Sequence, residues 1–231
     1  VDGQEATGDF GELRAPVFSP QGQRLAYAAR QEGAWRMIVD GKEGTPYADD
    51  IRDPLFSPDG KRVAYAGKTA KAWRMVVDGR EGAPYEDDIH DPVFSRDGKR
   101  IAYAAKSRQT WRMVVDGEEG AEYGEDIRDP IFSPDGRHVA YAGKKSARWH
   151  VVVDGREGPA YDDFNQPPVF SPDSQHVAYA VEKDEKWRLA VDGREGPPYD
   201  YLYPAIFTPD SKSVIYPARR SGRWRLLLER H

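Results

Sequence analysis

Apolar and polar residues alternate in short runs along this chain. In 61–66, Val63 and Tyr65 point one way while Ala64 and Ala66 point the other; in 73–77, Trp73, Met75 and Val77 share a face opposite Arg74 and Val76. A period of two carried by β-branched and aromatic residues predicts strands. Turn signals such as Asp40-Gly41, Asp53-Pro54 and Ser57-Pro58-Asp59-Gly60 recur about every ten residues, too densely for helical repeats, which need uninterrupted 3.6-residue periodicity. Four strands are expected in this stretch: A at about 53–57, B at about 62–68, C at about 73–77 and D at about 81–87. In the Ser-Pro-Asp-Gly turn from A to B, proline presets φ at the first corner and glycine accepts the left-handed conformation that follows. Asp-Gly between C and D suits a tight hairpin.

The same pattern returns six times. Val-Asp-Gly begins at Val1, Val39, Val77, Val115, Val153 and Val191, a constant step of 38 residues in a chain of 231. The copies at 39–76 and 77–114 agree at 26 of 38 positions, and Trp35, Trp73, Trp111, Trp149, Trp187 and Trp224 keep the register, with one deletion between Tyr199 and Phe207. A fixed period of this length marks a repeat architecture. Each small sheet has one bulky face and one face of small residues, mainly alanine, as sheets stacked face to face require. Six four-stranded antiparallel sheets set radially make an all-β, six-bladed β-propeller, here one domain over 1–231. The chain starts at the end of a strand C and finishes in one, so the N-terminal segment is expected to supply the outer strand of the last blade and close the ring.

Composition adds little to this picture. Six Trp and 13 Tyr supply much of the core, the net charge of −5 is spread over both signs, and there is no cysteine. That balance argues against nucleic-acid and anionic-membrane binding, no apolar run has transmembrane length, and disulfide and thiol chemistry are excluded. No secretory signal or initiator Met is present.

The stretch Phe56-Ser57-Pro58-Asp59-Gly60-Lys61-Arg62-Val63-Ala64-Tyr65, echoed at 94–103, 132–141, 170–179 and more loosely at 207–216, resembles the TolB-like (WD-like) β-propeller repeat of bacterial proteins. The resemblance implies the fold and says little about activity. In such proteins the repeat serves as a protein-binding platform or as a propeller gating a serine peptidase, and it implies an extracytoplasmic setting. This chain has neither the extra N-terminal domain of TolB nor a hydrolase domain.

The candidate site is the mouth of the central channel, where the loops from strand D to strand A converge. One repeat position there gives Arg14, Arg52, His90, Arg128, Gln166 and Tyr203; the next gives Ala15, Asp53, Asp91, Asp129, Pro167 and Pro204. The ring reads either as a lopsided pocket, charged over blades one to four and aromatic or neutral beyond, or as a ladder of blade-to-blade ion pairs. The tryptophans read as wedges between blades or as an aromatic platform. Basic residues in the B–C loops, such as Lys68, Lys106 and Lys144, form a rim that either steers an acidic partner or simply solvates loop tips. His90, His138, His150 and His176 occupy positions where other copies carry Arg, which does not build a general base with an orienting partner. No calcium-loop or zinc spacing occurs, and no cofactor is implied. The expectation is a monomeric, non-enzymatic module that binds a protein or small ligand. The alternatives are a purely structural, near-symmetric propeller and the gating propeller of a hydrolase.

Overall fold

A computed structural model describes residues 10–14, 16–164 and 166–230. The chain forms six antiparallel sheets in sequence order. Blade three is the regular case: A is Asp88–Phe94, B Ile101–Ser107, C Thr110–Val115 and D Glu118–Tyr123, hydrogen-bonded in that order. Blade four repeats it with Asp126–Phe132, Val139–Lys145, Arg148–Val153 and Arg156–Tyr161. In blades one, two and five strand A is split in two, as at Asp50–Ile51 and Leu55–Phe56. Blade six contributes Tyr201–Leu202, Ile206–Phe207, Ser213–Arg220 and Arg223–Arg230. The outer strand expected from 1–9 lies outside the described residues.

Turn chemistry accounts for the hairpins. Each C–D turn places Asp and Gly at positive φ, 52° and 78° at Asp78-Gly79, the backbone that a two-residue hairpin with right-twisted strands requires. In the A–B turn, buried Ser57 donates to Asp59 Oδ1 at 2.6 Å and accepts from the Arg62 amide at 3.0 Å. Ser95, Ser133 and Ser171 repeat this contact to the aspartate two residues on, and Thr208 does so in blade six. The serines are turn residues.

Strands A of blades three and four touch each other, whereas strands D meet the next blade's strand B. The sheets therefore splay outwards, with A innermost. The described core divides into apolar clusters that each span two consecutive blades. One joins Ala64, Ala66, Trp73, Met75 and Tyr85 of blade two to Ile89, Ile101, Tyr103 and Val114 of blade three. The forward face of each blade offers Trp, Met and small alanines; the rear face of the next fills the hollow with Ile, Val and Tyr. Trp35, Trp73, Trp111, Trp149 and Trp187 are buried in these seams, while Trp224 of blade six is exposed.

Strand B comes close to the preceding blade at Gly67 and Gly143, where an added Cβ would lie 2.5 Å from the rings of Tyr47 and Tyr123. The Tyr47 hydroxyl donates to Glu81 at 2.7 Å and that of Tyr123 to Glu157 at 3.0 Å. Gly67→Ala should displace Tyr47 and weaken its bond to Glu81, at a cost of about 1–3 kcal/mol. Thermal unfolding should show a lower midpoint, with a smaller drop when the same change is made in a Tyr47→Phe background. Ala105 and Val181 occupy the equivalent place in blades three and five, so the fold tolerates a side chain there once the tyrosine has adjusted.

Candidate functional site

Of the residues expected at the channel mouth, those of blades three and four lie within the innermost strand, while Arg14, Arg52, Asp53, Gln166 and Tyr203 lie between the halves of a split strand A. His90 and Asp91 fall inside Asp88–Phe94, and Arg128 and Asp129 inside Asp126–Phe132. Strand A starts earlier than its turn signals suggest because Asp50, Asp88 and Asp126 already pair with Lys68, Lys106 and Lys144 of strand B. The Asp-Pro step is instead a bulge inside the strand: the register shifts between His90 and Val93 and again between Arg128 and Ile131. Proline cannot donate to the ladder, which suits it to such a bulge.

The cations of the ring reach across to the next blade. Arg14 Nη2 lies 2.6 Å from Asp50 and Arg52 Nη2 2.5 Å from Asp88, and Arg14 also donates to the Ile51 carbonyl. Arg128 donates to the carbonyl of Phe164 in blade five and lies 3.7 Å from Asp129. Each guanidinium covers the tryptophan of its own blade, 4.6 Å above Trp35 and Trp73 and 4.0 Å above Trp149. The His90 ring is 4.3 Å from that of Trp111. The acids of the ladder are thus Asp50 and Asp88, not the Asp53 row. Their Oδ1 atoms also accept the following amide at 2.8 and 2.9 Å, which fixes their orientation. The twinned acids Asp49-Asp50 and Asp87-Asp88 were the available sequence signal.

Of the remaining ring members, Asp53 is exposed, Asp129 and Gln166 are half-buried, and Tyr203 is exposed with its ring 5.0 Å from that of Trp224. Asp129 has φ 57°, a left-handed conformation uncommon for a residue with a side chain. The basic rim is partly engaged: Lys68, Lys106 and Lys144 lie 5.3–5.5 Å from the rings of Trp73, Trp111 and Trp149.

The opposite end carries a second set of blade ties. Arg24, Arg62 and Arg100 pair with Asp40, Asp78 and Asp116 at 2.7–2.8 Å. Arg62 also donates to the Lys99 carbonyl of the next blade at 2.5 Å and covers Phe94. His138 and His176 keep the aspartate contact at 2.7 Å, to Asp154 and Asp192. Beside these ties are crevices of about 450, 620, 630 and 530 Å³ at the junctions of blades one–two, two–three, four–five and five–six. A hollow that recurs at successive junctions is a product of the repeat and does not single out one site. Among the described residues, no group of three or more His, Asp or Glu is placed to hold a metal ion, and no helix is long and apolar enough to cross a membrane.

No family model matches the chain, and no curated protein matches it. Among solved structures it is similar to TolB from Acinetobacter baumannii, at 16% identity and a TM-score of 0.42 over 96% of this chain and 62% of that one. It is also similar to the β-propeller domain of the Trilobed protease from Pyrococcus furiosus (14% identity, TM-score 0.47, 95% of this chain and 83% of that one). The Dos1 propeller matches at 9% identity with a TM-score of 0.50, over 94% of this chain and 68% of that one. The chain thus spans under two thirds of the length of the Acinetobacter TolB. At these identities the likeness bears on the fold alone: a β-propeller.

Proposed function

We propose that this propeller is a non-enzymatic binding module that presents the inner, loop-rich end of its channel to a protein or small ligand, and that the ligand is cationic. The observation that carries this reading is the division of charge on the inner strands. Arg14, Arg52 and Arg128 are bound to the next blade, while the carboxylate of Asp53 remains exposed on its bulge. The absence of a catalytic role is supported by the histidines and serines: His138 and His176 each pair with the C–D turn aspartate of their own blade, and the serines hold turns.

A short oligolysine peptide titrated by tryptophan fluorescence tests the reading. The wild type should bind it, more weakly as salt is raised. Asp53→Asn should lose affinity by about 1 kcal/mol, roughly fivefold. Equal binding by the variant, or no binding by the wild type, sinks the proposal. A purely structural role is the alternative, favoured by the engagement of the ring arginines between blades, and it predicts no binding at all.

A further inference from the structure

Among the described residues, the two end blades each leave one face uncovered. On the forward face of blade six, Leu226 is 73% exposed, Leu228 67%, Ile206 63% and Trp224 47%. At the Leu226 position the preceding blades carry Met37, Met75, Met113, Val151 and Leu189, all buried against the next blade. On the rear face of blade one, Leu13 and Phe18 are 57% and 54% exposed, where blade two has Ile51 and Phe56 at 0% and 6%. Single exposed apolar residues mean little, but a contiguous row marks an interaction surface.

The chemistry of the missing occupant is written in the chain itself. Five successive junctions press a forward face of this kind onto a rear face of this kind. We propose that the forward face of blade six binds the rear face of blade one of a second copy, so that the chains associate head to tail. In this structure the faces of one chain stay exposed although every junction between them is formed; a second copy does not have to satisfy the fixed geometry of those five junctions. The new junction is built from apolar contact, because both polar ties are replaced on its blade-six side. Tyr203 stands where Arg14, Arg52 and Arg128 reach forward, and Ser213 where Arg24, Arg62 and Arg100 do. Glu12, at the place of Asp50, is left to pair with Arg30 of its own blade at 3.8 Å.

A heterologous contact of this sort has two unlike halves, which makes it testable by complementation. Sedimentation of the wild type should show a mass that rises with concentration. Leu226→Asp with Leu228→Asp should give a single chain at all concentrations, and so should Leu13→Asp with Phe18→Asp; both sets are exposed and leave the fold intact by circular dichroism. Mixing the two variants should then produce a species of two chains and nothing larger, since each supplies the face the other lacks. A wild type that stays at one chain mass means the ring closes on itself or the faces are idle, and overturns the proposal. Failure of the two variants to pair, with the wild type still associating, overturns it as well, because the contact would then be symmetric or placed elsewhere.

Discussion

Trp73→Ala should lower stability by about 3–5 kcal/mol, the range for truncating a buried aromatic side chain. Trp73 is 4% exposed and packs in one cluster with Ile89 of blade three. Two cations also lie over its ring, Arg52 at 4.6 Å and the Lys68 ammonium at 5.3 Å, and each such contact adds about 0.5–2 kcal/mol. Removing the indole empties the seam and leaves Arg52 to hold Asp88 without its support. Trp224→Ala makes the same chemical change on the uncovered face of blade six and should cost a chain in its single-copy form about 1 kcal/mol or less, as surface substitutions do. Urea unfolding of both variants, at a protein concentration low enough to suppress association, reads the difference. Equal midpoint shifts would show that the tryptophans do not act as wedges between blades.

Alkali should unfold this protein between about pH 10 and 12. Burial pushes the Tyr65 and Tyr141 hydroxyls up to about 12 from an ordinary value of 10, with the Glu81 and Glu157 carboxylates adding to the effect. Tyr47, Tyr123 and Tyr216 are raised as well, chiefly by burial and further by hydrogen bonds to Glu81, Glu157 and Glu229 and by their neighbouring tyrosines. A tyrosine raised in the folded state keeps its proton there and releases it in the unfolded chain. Its contribution is therefore complete below pH 10 and is lost as the pH rises through the folded value. For Tyr65 and Tyr141 that loss is on the order of 2–3 kcal/mol each, a large share of the roughly 5–15 kcal/mol that holds a typical domain together. Tyrosinate absorbance should appear in step with loss of the sheet circular dichroism signal. A smooth tyrosine titration centred near pH 10, with the fold intact, would contradict the packing described above.

The positions of strands B and C and all the hairpins were legible from local pattern. Val63–Thr69 and Ala72–Val77 fall within a residue or two of where the alternation places them, because strand period and Asp-Gly turn chemistry act between neighbours in sequence. The start of strand A was not legible. Asp53-Pro54 reads as a strand boundary, yet Asp50 is already paired to Lys68 and the proline is absorbed in a bulge. The site suffered from the same shift: His90, Asp91, Arg128 and Asp129, assigned to loops, belong to the innermost strand, and Arg52 found Asp88 of the next blade in preference to Asp53 beside it. Sequence adjacency gave no hint of this, since neighbouring strand residues point to opposite faces.

Six copies of one unit, the strands within each copy and the asymmetry between a bulky and a small-residue face were determined by the sequence alone, since each arises from contacts a few residues long. Which acid each arginine meets, which tryptophan stays uncovered and which two blade faces await a partner were decided only by the tertiary structure. They depend on how one sheet sits against the next, 38 residues further along, where side-chain shape and the angle between blades act together and no local pattern records the result.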